Sequence, residues 1–146
     1  MKIINVKDRK TKRQFLEVAR IIYRNDPVWV CPLDNEIEAI FDPEKNPYHQ
    51  HGEVERWILS DSENKLIGRI AAFIDRNLAF SYDQPTGGTG FFECINDSHA
   101  AFMLFDTAKE WLLSKGMEAM DGPINFGETD KYWGLLVDGF THPSFD

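Results

Sequence analysis

The chain has 146 residues, which is the length of one domain and leaves no room for two. Its composition, with 42% hydrophobic and 13% aromatic residues, is globular and excludes disorder over the whole chain. The longest apolar run, residues 100–105, is far shorter than the roughly 20 residues of a membrane-spanning helix. Two cysteines are too few for a disulfide framework and suit a reducing compartment. We therefore expect one soluble, cytoplasmic domain.

The charge of the chain is acidic overall but uneven. Its net charge of −8 disfavours nucleic-acid binding, because phosphate contacts need a positive surface. Residues 1–24 nevertheless contain eight basic and two acidic residues, a net charge of +6. The cluster at 7–13 could hold a phosphate or an acidic partner, although a solvated helix face is the simpler interpretation. We expect neither a nucleic-acid partner nor a membrane partner.

The N-terminal quarter of the chain has the pattern of one strand and two helices. The short β-branched run at 3–6 predicts a first strand. Thr11 and Gln14 fit a capping box, and the apolar residues that follow at helical spacing predict a helix over 12–24. A similar spacing predicts a second, shorter helix over 33–41.

The middle of the chain has the pattern of a sheet. Alternating residues over 53–60 and an apolar run over 65–75, separated by a polar turn, predict an antiparallel hairpin. Residues 76–89 contain Gly, Pro, Tyr and Asp and are typical of an exposed loop. Residues 89–96 then predict a third sheet strand.

The longest helix and a further strand follow. Asp97 or Ser98 is the predicted N-cap of this helix, and Gly116 lies where a glycine ends a helix. Residues 117–120 predict a strand parallel to the previous one, because a strand-helix-strand crossover has that geometry. The remainder is loop-like, with a short apolar run at 133–137. The order of elements is that of a mixed α/β sheet.

At this point the chain resembles a known superfamily. Gly-Phe-Phe-Glu at 90–93, the helix after it, and Gly-Pro-Ile-Asn-Phe at 122–126 resemble the central part of the GNAT superfamily of N-acyltransferases, in a divergent branch. The hairpin and the two earlier helices fall in the order that this superfamily uses. The resemblance implies a GNAT-like fold with a mixed sheet over residues 1–146.

The resemblance also implies a chemistry. It points to an acyl-coenzyme A dependent N-acyltransferase that uses acetyl-CoA or another acyl-CoA and transfers the acyl group to a small-molecule amine. Glu93 would accept a proton from that amine, directly or through water. Tyr132 would be the acid that protonates the departing thiolate, and Asn125 would contact the acceptor.

The resemblance places the cofactor phosphates at the start of the long helix. Backbone N–H groups and the positive end of the helix dipole favour an anion there. The corresponding cofactor-binding residues are Ile95, Asn96, Asp97, Ser98 and His99, in a stretch that has none of the glycines usual in the superfamily. We expect a helix N-terminus near Ser98 that accepts an anion, an expectation that fails if Asp97 occupies it.

The chain also departs from the superfamily in length. The superfamily continues after the strand at 117–120 with another helix and a last pair of strands, and too few residues follow to supply them. The sequence therefore predicts the front part of a longer chain, or a homo-oligomer in which a partner completes the sheet. The alternative function is a non-catalytic structural or interaction half that has lost its cofactor loop. A small-molecule sensor is a third hypothesis.

Two further groups of residues have side chains that occur in nucleophilic or metal sites. Cys94 with His99 has the composition of a thiol nucleophile and its base, but a small buried hydrophobic residue is the simpler interpretation. His49 and His51 would share a face of an extended segment with Glu53 as a third metal ligand. A single pair of histidines is weak support, and no metal is predicted.

Overall fold

The computed structural model describes residues 1–25, 34–46, 50, 52–76, 84–122 and 135–137. Three helices and six strands lie within these ranges. In chain order they are β1 (Lys2–Asn5), α1 (Arg9–Ile22), α2 (Asp34–Phe41), β2 (Gly52–Ser60), β3 (Leu66–Asp75), β4 (Thr86–Cys94), α3 (Ser98–Ser114), β5 (Ala119–Gly122) and β6 (Leu135–Val137). None of the helices in these ranges is long and apolar enough to cross a membrane.

The six strands form one mixed sheet in the order β1-β2-β3-β4-β5-β6. β4 and β5 are parallel, joined by α3 as predicted, and every other neighbouring pair is antiparallel. The mixed α/β order expected from the sequence is confirmed. The expectation that the chain is loop-like after the strand at 117–120 is wrong at residues 135–137. These residues form β6, which pairs with β5, so β5 is not the open edge of the sheet.

The alternation in the hairpin separates two hydrophobic cores, one on each face of the sheet. Trp57 and Leu59 of β2 pack with α3, whereas Ile58 between them packs with α1 and α2. β3 continues both patterns, since Ile70 faces α3 and Phe73 faces the other two helices. The predicted antiparallel hairpin is confirmed, and both of its faces are buried.

α1 begins earlier than the sequence pattern predicts, because its cap is an aspartate. The Thr11 N–H donates to Oδ1 of Asp8 at 2.7 Å, and the Asp8 N–H donates to Oγ1 of Thr11 at 3.0 Å. Thr11 is therefore the third residue of the helix rather than its N-cap, which corrects the predicted box of Thr11 and Gln14. The hydrogen bonds that the N–H and the hydroxyl of Thr11 donate to Oδ1 of Asp8 lower the pKa of this carboxyl below its ordinary value.

β4 begins three residues earlier than predicted, within the expected loop. A Cβ on Gly87 would lie 2.5 Å from Cδ2 of Leu112 in α3 and 3.0 Å from the carbonyl oxygen of Phe73. Gly87 therefore permits the close approach of α3 to the sheet. Composition alone predicts a loop here, because glycine is common in loops and its role in a closely packed strand is not visible in the sequence.

A β-bulge interrupts β4 at Phe91. The pairing of β3 with β4 shifts between Arg69 and Ala71, and Phe91 has a φ of 54°, which is costly for a bulky residue. Its ring packs against Phe41 with centroids 5.4 Å apart and against Phe15 at 6.2 Å. Packing in this aromatic cluster offsets part of the backbone strain.

A buried arginine holds the bulge. Arg69 is 4% exposed, and its Nε donates to the carbonyl oxygen of Phe91 at 3.1 Å. Its Nη1 donates to the carbonyl oxygen of Phe15 in α1 at 2.9 Å. One guanidinium therefore satisfies backbone groups of two elements, and it fixes α1 relative to β4.

A second buried arginine anchors α2. Both terminal nitrogens of Arg56 donate to the carboxylate of Glu38, at 2.8 and 3.0 Å. The guanidinium carbon lies 4.1 Å from the ring centroid of Phe41. Because the carboxylate and the ring compensate the buried charge, α2 is held against β2.

Replacement of Arg69 tests the role of this residue in the fold. We expect Arg69→Met to lower the free energy of unfolding by about 2–4 kcal/mol, because two buried carbonyl oxygens each lose a charged donor. Urea unfolding followed by far-UV circular dichroism measures the loss. The matched control is Arg20→Met, which removes a partly exposed ion pair with Glu17 worth roughly 0.5 kcal/mol. Equal losses in the two variants would contradict the role of Arg69.

Candidate active site

The two parallel strands at the centre of the site pair over a short distance. β5 pairs with β4 from Thr86 to Gly88, and the bulge at Phe91 follows. In the part of the chain that the structure describes, residues 90–94 pair with no residue of β5. Among the described residues, this half of β4 therefore has an unpaired edge on its β5 side.

Glu93 lies on this half of β4, on the face of the sheet that α1 covers. In the register of the sheet it lies opposite Arg69 of β3, and it is half-buried. The hydroxyl of Tyr23 donates to its Oε2 at 2.5 Å. Tyr23 is the C-cap residue of α1, and its N–H donates to the carbonyl oxygen of Ala19. A residue at the end of α1 therefore sets the position of the carboxylate.

Sequence reasoning missed Tyr23. The residue is separated from Glu93 by 70 positions, and a tyrosine at the end of a helix carries no local sign of a polar partner. The spacing between α1 and β4 that brings the two together depends on Arg69, which is also a long-range contact. No sequence pattern in the chain predicts this pair.

Cys94 faces the opposite side of the sheet, as strand alternation predicts. Its side chain packs with the core cluster beneath α3. Burial, and secondly the charge of Asp97, raises the pKa of the Cys94 thiol above its ordinary value. Both effects disfavour the thiolate, so the arrangement supports a half-buried hydrophobic residue and not an activated nucleophile.

The N-terminus of α3 is already occupied by a carboxylate. Asp97 is the N-cap, and its Oδ1 accepts hydrogen bonds from the N–H groups of His99 at 2.9 Å and Ala100 at 3.3 Å. The expectation that the N–H groups at 97–99 receive a phosphate is therefore wrong. Asp97 lies where that anion would bind, and its negative charge repels one.

A groove nevertheless lies beside this helix end. It has a volume of about 370 Å³ and brings together four of the five predicted cofactor-binding residues, all except His99. Much of its wall is apolar, and Ile95 is 39% exposed within it. The groove is lined by Phe92, Cys94, Ile95, Asn96, Asp97, Ser98 and Ala101. It suits an uncharged or apolar group better than a phosphate.

Some predicted residues lie outside the described part of the chain. They are Tyr132, Asn125, His49 and His51. Glu53, the third residue of the weighed metal set, instead forms ion pairs with Arg76 and with Nζ of Lys115, the latter at 3.1 Å. Within the described ranges, no group of three His, Cys, Asp or Glu side chains is placed to hold a metal ion.

Two curated proteins are related to this chain along most of its length, whereas no family model matches it. The chain is 31% identical over 131 residues to Protein YghO of Escherichia coli K12. It is 33% identical over 148 residues to a bacterial ceramide synthase of Caulobacter vibrioides. These alignments cover 90% and 98% of this chain but 33% and 37% of the relatives. The chain therefore spans about a third of the length of the curated relatives it matches.

A solved structure with the same arrangement of elements gives the fold. An acetyltransferase of the GNAT family from Staphylococcus aureus superposes with a TM-score of 0.57 at 16% identity. The superposition covers 84% of this chain and 72% of the acetyltransferase. The resemblance found in the sequence is confirmed at the level of architecture, and the chain has the GNAT fold.

Proposed function

We propose that this chain is the part of an acyl-coenzyme A dependent N-acyltransferase that carries the base. The proposal rests on one observation. The carboxylate of Glu93 accepts a hydrogen bond from Tyr23 in the part of β4 that does not pair with β5. An amine must lose a proton to become an amide, and in this proposal Glu93 accepts it.

One of the relatives supports an amine as the acceptor. The Caulobacter relative is named a ceramide synthase, and a ceramide is a fatty amide. Making an amide by acylation joins an acyl group to an amine nitrogen. For this chain we therefore propose transfer to an amine of unknown identity. The amine nitrogen forms a bond to the acyl carbon as the carbon–sulfur bond of the acyl-coenzyme A breaks; the nitrogen loses one proton to Glu93, and coenzyme A leaves as a thiolate that takes up a proton.

The two oxygens of Glu93 have different tasks in this proposal. Oε2 accepts the hydrogen bond from Tyr23, which fixes the plane of the carboxylate. In this proposal Oε1 accepts the proton of the amine, directly or through a water. Tyr132 as acid and Asn125 as acceptor contact remain proposals from the resemblance.

The described residues fit one part of acyl-coenzyme A and not another. The amide-bearing arm of the coenzyme fits along β4 beyond the bulge, where backbone groups have no β5 partner. Its apolar acyl end suits the groove that Phe92 and Ile95 line. The pyrophosphate does not fit at Asp97, so we assign no phosphate contact to α3.

A non-catalytic interaction domain is the second candidate function. The capped helix end at Asp97 favours it, because the superfamily's phosphate site is lost there. The two candidate functions differ in one property, which is whether residues 90–94 of β4 bind an acyl donor.

Removal of the charge at Asp97 separates these candidates. Asn is as good an N-cap as Asp, so Asp97→Asn keeps α3 capped while it removes the repulsion of a phosphate. We expect acetyl-CoA to bind the variant about tenfold more tightly than the parent chain in calorimetric titration. Asp106→Asn, an exposed change farther along α3, is the control and should leave affinity unchanged. If neither the parent chain nor Asp97→Asn binds, the interaction domain is favoured.

Substitution of Glu93 and of Tyr23 tests the chemistry. We expect Glu93→Gln to lower kcat by about 10²–10⁴-fold, because an amide cannot accept the proton of the amine. Tyr23→Phe should cost roughly tenfold, since the carboxylate remains but is no longer held. Release of coenzyme A thiol with an alkylamine acceptor measures both. Glu110→Gln on the exposed face of α3 is the control, and a Glu93→Gln variant as active as this control would refute the assignment.

The reactivity of Cys94 tests its exclusion as a nucleophile. In a Cys31→Ser background, we expect iodoacetamide to alkylate Cys94 several times more slowly at pH 8 than a peptide thiol, whose pKa is about 8.5. Because the pKa of Cys94 is raised, the thiolate fraction is smaller and the rate should still increase above pH 9. The same protein unfolded in urea should react like the peptide. Alkylation that levels off below pH 8 would contradict the burial argument.

A further inference from the structure

A basic groove lies between α1 and α2, on the face of the sheet opposite α3. It has a volume of about 400 Å³ and is lined by Arg9, Lys12, Arg13, Leu16 and Glu38. The three basic side chains are exposed, and Leu16 is half-buried between them. Their spacing along α1 places all four residues on the side of the helix that faces α2.

The positive charge of this groove is not neutralised within the described part of the chain. Arg9, Lys12 and Arg13 form no ion pair with a described acidic residue. Glu38 is close by, but its carboxylate is held by Arg56 through two hydrogen bonds. The groove therefore keeps the charge of its basic side chains.

The groove is the centre of a wider basic surface. Residues 7–13 contain five basic residues, and Lys7 and Lys10 are exposed like the three that line the groove. Residues 25–146 carry a net charge of −14 against +6 for residues 1–24. The excess positive charge of the chain therefore lies in its first 24 residues, and a negatively charged plane would attract the basic surface of α1.

We propose that this surface docks on an anionic phospholipid membrane, with the phosphodiester headgroups as its ligands. Several exposed, flexible cations spread along two turns of helix match an array of headgroups better than one enclosed phosphate. Leu16 adds apolar contact, whereas no aromatic ring among the described lining residues is available to stack on a nucleic-acid base. The site does not use the helix N-terminus, which Asp8 caps.

This inference goes beyond the proposed function and does not depend on it. It revises the sequence-based expectation that the chain has no membrane partner. That expectation rested on the lack of an apolar run long enough to span a membrane, which does not bear on binding to a membrane surface. An approaching surface experiences the local charge within a Debye length, about 10 Å at 0.1 M salt, and on α1 that charge is positive.

Vesicle flotation with the full 146-residue chain tests the proposal. The probes are phosphatidylcholine vesicles with and without phosphatidylglycerol, at 0.05 M and 0.5 M salt. We expect binding only to the anionic vesicles and only at low salt. Arg9→Gln/Lys12→Gln/Arg13→Gln should weaken binding about 100-fold, since each basic residue near an anionic surface contributes roughly fivefold.

The control variant makes the same change in net charge at other places. Lys2→Gln/Lys45→Gln/Lys65→Gln removes three exposed cations that do not line the groove, and it should bind almost as well as the parent chain. Thermal unfolding of both variants verifies that they are folded. Equal loss of binding in the two variants would overturn the proposal, because net charge alone would then explain it. Binding of inorganic phosphate or duplex DNA without binding to anionic vesicles would also overturn it.

Discussion

The hydrogen bonds of the buried Arg69 side chain join the parts of this molecule on which its site depends. The guanidinium donates to the carbonyl oxygens of Phe91 and Phe15, so the bulge in β4 and the middle of α1 are held by one group. Phe91 has a positive φ that its side chain disfavours, and such backbone persists where the surroundings hold it in place. The bulge and α1 therefore depend on each other.

The consequences of this constraint continue along β4. Past the bulge, Glu93 is directed to the face of α1 and Cys94 to the face of α3. α1 ends at Tyr23, which contacts Glu93, so the same arginine that fixes the helix also fixes the partner of the carboxylate. Glu93 and the apolar groove therefore lie on opposite faces of β4. In the proposed reaction the acyl donor and the amine meet beside the part of β4 that does not pair with β5.

The elements could be predicted from the sequence where the causes are local. Trp57 and Ile58 alternate because one face of the hairpin packs on α3 and the other on α1, and the alternation is visible in the sequence. The start of β4 could not be predicted, since Gly87 is explained only by the approach of Leu112. At the candidate site, the strand that contains Glu93 could be predicted, but the partner of Glu93, Tyr23, depends on tertiary packing that no periodicity encodes.

The two faces of the sheet also differ in how they treat an anion. On the α3 face, the carboxylate of Asp97 satisfies the N–H groups that would otherwise bind one, although the fold is that of acetyltransferases. On the α1 face, Asp8 caps the helix in the same way, but the side chains of Arg9, Lys12 and Arg13 extend beyond the cap and leave a positive groove. Both helix ends are closed by aspartate, so recognition of an anion has to come from side chains, and among the described residues those side chains are concentrated on α1. An anionic surface would therefore orient the molecule by α1, on the same face of the sheet as the carboxylate of Glu93.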